Sequence, residues 1–176
     1  MTVISMRHEV GFLRAFGAMR IRDIVWPEGV IATCIGGPSA WLLLVHTSLA
    51  ARTQLASDFL GILAPLLGVV LAAAALLVAS ASNEYVRLLH KSSTGIIGFW
   101  YPFIFGIGIQ IIALLSVIGY RSFASIVPVW LESVWFVWIS LLIPYVLTDI
   151  LAIARNCVMH AKARADLISR SADEQD

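Results

Sequence analysis

The sequence predicts an all-α membrane protein: a four-helix transmembrane bundle with an amphipathic N-terminal helix and a short cytoplasmic helical tail. Three observations predict it. Hydrophobic residues make up 60% of the chain and charged ones 13%, against about half and about a quarter in a soluble domain. Four stretches are apolar for the 20 or so residues that a helix needs to cross a hydrocarbon core of about 30 Å. Ten of the twelve Lys and Arg residues fall on one side of those stretches.

The N-terminal arm, residues 1–28, carries Val10, Leu13, Phe16 and Ile24 at the spacing of one helical face, with Arg7 and Arg14 on another side. Phe12 and Met19 broaden the apolar arc and Arg20 interrupts it. Such a helix can lie in the membrane interface, with Arg7, Arg14, Arg20 and Arg22 meeting anionic headgroups. The competing expectation is a cytoplasmic helix that packs on a partner or on a sister subunit. Trp26 suits the headgroup level, and Pro27 suits the first turn of the next helix.

The first span is read over residues 29–50 and holds Cys34, the break Gly36-Gly37-Pro38, and His46. Its basic leader and Ser48-Leu49-Ala50 loosely mimic a cleaved signal peptide. Leader and apolar run are both too long for one, so the segment is expected to stay. Residues 51–57 read as a connector.

The second span, 58–82, has a small-residue stripe formed by Gly61, Ala64, Gly68, Ala72, Ala75, Ala79 and Ser82. Lipid gives no hydrophobic reward for pairing helices, so close contact along small residues becomes a main driver. This seam is expected to face another helix of the same subunit; the alternative is a subunit–subunit seam.

After a connector at 83–95, the third span covers 96–120. Gly95, Gly98, Gly106 and Gly108 admit close neighbours there, and Gln110 lies near mid-membrane. Residues 121–125 lead to the fourth span, 126–154, with Glu132, Ser140 and Asp149. The tail, 155–176, continues this helix, with Val158, Ala161, Ala165 and Ile168 apolar at helical spacing and Lys162, Arg164 and Arg170 between them. Lys162 and Arg164 are candidates, with the arm's arginines, for contact with a partner or the membrane surface. No connector can hold a soluble domain, so residues 1–176 form a single transmembrane domain.

Basic residues concentrate in cytoplasmic loops. Arg7, Arg14, Arg20, Arg22, Arg87, Lys91, Arg155, Lys162, Arg164 and Arg170 share one side, and only Arg52 and Arg121 the other. Both termini are therefore expected in the cytoplasm, of a bacterial inner membrane. Trp100 and Tyr101 mark the inner boundary, and Tyr120, Phe123 and Trp130 the outer one, as ordinary anchoring aromatics. Each span also holds a proline (Pro38, Pro65, Pro102 or Pro144), read as a kink and not as a transporter's broken helix.

Charge inside a membrane costs on the order of 3 kcal/mol at the helix centre and points to function. Glu132 and His46 stand at similar outer depth and are expected either to pair or to leave Glu132 reaching the surface beside Trp130 and Trp135. Gln110 and Ser140 are expected to bond between helices, and Asp149 to lie near the inner boundary within reach of Arg87 or Arg155. Cys34 and Cys157 read as inert small residues in a reducing compartment.

No His, Cys, Asp or Glu spacing resembles a metal site, Gly106-Ile107-Gly108 sits inside an apolar helix and not after a strand, and no serine has a base beside it. No cofactor, catalytic residue or direct nucleic-acid partner is expected, and the net charge of +1 offers no global field. The expectation is a non-enzymatic inner-membrane anchor or sensor subunit that oligomerises in the bilayer and recruits a cytoplasmic protein partner. A bacterial phage-defence system is a compatible setting. The alternative is a small homo-oligomeric ion channel or pore-forming effector with Glu132 as an acidic collar, or Gln110, in its lumen.

Overall fold

The structure is a computed structural model that describes residues 28–80 and 95–173. The amphipathic arm with Arg7, Arg14, Arg20 and Arg22 lies outside the described residues, as do Arg87 and Lys91. Four helices make up the described chain: α1 (Glu28–His46), α2 (Leu49–Ser80), α3 (Gly95–Phe123) and α4 (Val129–Asp173). All four are long and apolar enough to cross a membrane, as in a multi-pass membrane protein.

Glu28 in the first turn of α1 and His46 in its last both suit the helix dipole. The Thr47 amide donates to the Leu43 carbonyl at 3.0 Å, closing the final turn. Ser48 then caps α2, its Oγ accepting from the Ala51 amide at 3.3 Å. The turn between α1 and α2 is thus only Thr47 and Ser48. The connector expected at 51–57 is instead the first two turns of α2. Hydropathy marks Arg52, Thr53 and Gln54 as a loop, yet nothing between Leu49 and Leu60 breaks a helix. Thr53 and Ser57 satisfy their hydroxyls on the carbonyls of Leu49 and Thr53, one turn back.

At the same end, α3 runs past its expected limit to Phe123, and the amides of Ile126 and Val127 both donate to the Phe123 carbonyl. Pro128 opens α4, accepting from the Leu131 and Glu132 amides at 3.0 Å each. Helix α4 is 45 residues long, about 67 Å at 1.5 Å per residue. That is about twice a hydrocarbon core, so the expected tail is a direct continuation of the helix.

The four helices stand in a bent row. Helix α1 packs on α4, α4 on α3 and α3 on α2, with a lesser α2–α4 contact; α1 and α2 barely touch despite their two-residue turn. The inner helices α3 and α4 are accordingly far more buried than the flanks. Buried positions on α3 include Phe103, Gly106, Gln110, Ala113, Val117 and Tyr120, with Ala124 just past its end, steps of three and four that keep one seam facing its neighbours. Helix α4 answers with Glu132, Phe136, Ile139, Ile143, Val146 and Ile153, and α2 with Ala56, Leu63 and Val70. The larger core cluster surrounds Tyr120 and Phe136; a smaller one, of Val70, Phe103 and Ile153, lies toward the Glu28 end.

Helix α1 lays Ala32, Gly36 and Ala40 against α4. A Cβ on Gly36 would overlap the Ser140 carbonyl oxygen and stand 3.0 Å from Leu141 Cα, so only glycine permits this approach. That carbonyl is special: four residues on stands Pro144, which has no N–H to give it.

The small-residue stripe of α2 departs from expectation. Gly61, Ala64, Gly68, Ala72, Ala75 and Ala79 are all exposed, and a Cβ at Gly61 or Gly68 would meet nothing within 4 Å. The contact within the subunit is made by the opposite face, where Leu63 and Val70 are large enough to fill the groove against α3. Burying those side chains turns the small residues outward.

Candidate functional site

Where α1 ends and α2 begins, the side chains of three helices close on one carboxylate. Glu132 stands in the first turn of α4 with its side chain 4% exposed, and Arg52 in the first turn of α2 with its side chain 11% exposed. Arg52 Nε donates to Glu132 Oε1 and Nη2 to Oε2, both at 3.1 Å, a fork-to-fork pair. Tyr120 of α3, fully buried, donates its hydroxyl to the same Oε1. The remaining terminal nitrogen of Arg52, Nη1, donates to the Thr47 carbonyl at 2.8 Å, satisfying an acceptor just past the end of α1. One guanidinium therefore ties the α1–α2 turn to α4, and one carboxylate ties both to α3.

Aromatic rings wall this clasp. The Arg52 guanidinium carbon lies 5.8 Å from the Phe136 ring centroid, inside cation–π range. The Tyr120 ring stands 5.7 Å from that of Phe136 and edge-on to Trp135 at 6.3 Å. Gly119 leaves room for Trp135, whose Cζ2 would stand 2.7 Å from a Cβ there. Further along the α3–α4 seam, Trp138 Nε1 donates to Ser116 Oγ at 3.3 Å. A buried carboxylate with both oxygens engaged and its charge matched makes a lock between elements, and the ring wall limits water's access to it.

The expected His46–Glu132 pair does not form. His46 is exposed at the end of α1 and has no hydrogen bond or ion pair among the described residues, while Glu132 neither pairs with it nor reaches the surface. Arg52 competes better, because a guanidinium matches both carboxylate oxygens at once. The carboxylate also faces the inside of the protomer, as does Gln110, which is wholly buried. Neither lies where a lumen between copies would find it.

The other polar residues are inside but unpaired. Both side-chain amide atoms of Gln110, the hydroxyl of Ser140 and Oδ2 of Asp149 are buried with no hydrogen-bond partner, so the interhelical bonds expected of Gln110 and Ser140 are not made. Asp149 turns its carboxyl onto Gly106 of α3, where a Cβ would stand 2.6 Å from Oδ2. Arg155, one of its two expected partners, is exposed and makes no ion pair among the described residues. Lys162 is exposed on α4 well beyond the core, and Arg164 lies two residues further on the same helix. Cys34 and Cys157 are free thiols. Among the described residues no three His, Cys, Asp or Glu side chains gather as a metal site would require.

Sequence reasoning missed Arg52 and Tyr120. Ser48 followed by Leu-Ala-Ala was available as a cap signal that would have moved Arg52 into a helix. The three-and-four spacing from Phe103 to Ala124 would have turned Tyr120 inward and away from an anchoring belt. Compared with known proteins, the chain matches no family model, no curated sequence and no solved structure.

Proposed function

We propose that the chain is a non-enzymatic subunit of a membrane assembly that self-associates through the outward face of α2 and holds a cytoplasmic protein on the extension of α4. The outward stripe Gly61, Ala64, Gly68, Ala72, Ala75 and Ala79 is the observation that carries this reading. Small side chains let a second helix approach closely, and in lipid that approach is what drives pairing. Helix α2 is a flank of the row, so a second copy can reach it without displacing any helix of the protomer.

A sensing role is supported by the way α1 and α2 are held. They are joined at one end by the clasp and barely touch elsewhere, so a bilayer disturbance that parts them loads the Arg52–Glu132 pair first. An envelope-monitoring subunit in the bacterial inner membrane, such as a phage-defence system would use, suits this design. The competing pore reading has to find its lining elsewhere, since Glu132 and Gln110 are sealed within the protomer.

The test is self-association in liposomes at low protein density, read by energy transfer between labelled copies. Gly68→Ile and Ala72→Ile should abolish transfer while the protomer keeps its thermal midpoint. Transfer that survives both substitutions removes α2 as the seam.

A further inference from the structure

Helix α4 carries an outward strip that changes character along its length. Leu147, Leu151, Arg155, Val158, Met159 and Lys162 follow one another at the spacing of one helical face, and all six are exposed. Arg155 stands about 35 Å beyond Glu132 along the helix axis. A hydrocarbon core of about 30 Å that begins near the clasp therefore ends close to Arg155. That places Leu147 and Leu151 among acyl chains, and Val158, Met159 and Lys162 at the level of the headgroups. Leu151, Val158 and Met159 are 70%, 69% and 62% exposed, so the protomer covers neither part of the strip.

Nothing in the described protomer answers the two positive charges. Arg155 and Lys162 make no hydrogen bond or ion pair among the described residues. On α4 itself, Asp149 is turned onto Gly106 of α3, and Asp166 comes one turn beyond Lys162, further from the bilayer. Helix α3 carries no charged side chain between Gly95 and Tyr120, and α2 none between Phe59 and Ser80. Helix α1 runs antiparallel to α4 with Gly36 on Ser140, which leaves Glu28 about two turns short of Arg155. The complementary charge has to come from outside, at a depth where two large apolar side chains are also uncovered. A soluble protein would have to enter the headgroup layer to supply it; a lipid is already there. Helical side chains lean toward the helix N-terminus, which on α4 is toward the bilayer, so Lys162 reaches back across Val158 toward Arg155.

We propose that this face of α4 binds one anionic glycerophospholipid. Its phosphate sits between Arg155 and Lys162, its headgroup carbons rest on Val158 and Met159, and an acyl chain lies along Leu147 and Leu151.

The experiment uses the full chain in phosphatidylcholine vesicles with a trace of phosphatidylglycerol that bears a photoreactive headgroup. Adducts are located by peptide mapping. Label should fall on α4 between Arg155 and Lys162, and unlabelled phosphatidylglycerol should displace it, whereas added phosphatidylcholine or soluble inorganic phosphate should not. The label should drop about fivefold with Arg155→Gln or Lys162→Gln and about thirtyfold with both. Exchanging the two cations, Arg155→Lys with Lys162→Arg, should keep it, as should Arg121→Gln at the clasp end. Displacement by inorganic phosphate makes this a site for a free anion and overturns the lipid. Label that survives the double neutralisation, or falls equally with Arg121→Gln, overturns the site and leaves only the general attraction of lipid to positive charge. Label that rises as the protein is diluted in the bilayer puts a second copy on this face and overturns it too.

Discussion

At the scale of single residues, the clasp is the feature whose energetics can be stated. Removing one partner of a buried ion pair leaves the other charge stranded, at about 3–5 kcal/mol. Arg52→Ala is therefore expected to lower the unfolding free energy in detergent by about that amount, with Tyr120→Phe costing about 1.5–3 kcal/mol for one hydrogen bond to a charged group. The double change Arg52→Met with Glu132→Leu removes both charges and should recover most of the loss, as apolar replacements of buried pairs do. Steric-trapping measurements on the three variants would decide it. A double variant as unstable as Arg52→Ala would mean that Arg52 acts through the Thr47 carbonyl and not through Glu132. None of this could be read from hydropathy alone. Arg52 was visible as a charge, but its pairing depends on where α2 starts and on how each helix is rotated about its axis. A difference of one position in spacing decides whether Tyr120 anchors in headgroups or seals a core.

At the scale of elements, adjacent glycines in α1 provide an internal control. Gly36 sits on the Ser140 carbonyl that Pro144 leaves without a donor, whereas a Cβ on Gly37 would meet nothing within 4 Å. Gly36→Ala forces α1 off α4 and should cost about 1–3 kcal/mol, the usual penalty of overpacking. Gly37→Ala should be neutral or stabilising by up to about 1 kcal/mol, the propensity gain of alanine within a helix. Thermal midpoints of the two proteins, purified side by side, test the pair; equal midpoints would deny the close crossing. The sequence reads the proline after Gly36-Gly37 as a kink and not as a broken helix, and one helix does run through Gly36-Gly37-Pro38. Four spans were legible because apolar length is a one-dimensional property. Which face of each span looks inward was not, and so the α2 stripe was placed on the wrong side of its helix. Small residues are ambiguous by nature, since they permit close approach from any neighbour and specify none.

At the scale of the whole molecule, four crossings, an even number, would put the two ends of the chain on the same side. The ten-to-two distribution of basic residues predicts that side to be the cytoplasm. A single cysteine introduced at Ala50, exposed at the clasp end, in a chain lacking Cys34 and Cys157, should react with an impermeant maleimide on intact spheroplasts. One at Ser169, exposed near the end of α4, should react only after lysis. The reverse pattern would invert the topology, and with it the proposal of a cytoplasmic partner.

The bent row of helices also governs how the chain is made. Helices α1 and α2 leave the ribosome first, joined by two residues, yet they hardly touch, and the surfaces that receive them belong to α4 and α3. An early hairpin that pairs with itself could wait stably in the bilayer; this one cannot. Helix α2 meets its main surface once α3 is made, whereas α1 has to wait for α4, which also brings Glu132 to Arg52. A chain cut short before α3 would hold two helices without the surfaces that receive them. The Arg52–Glu132 pair thus joins residues 80 positions apart, and no chain that stops short of α4 can close it.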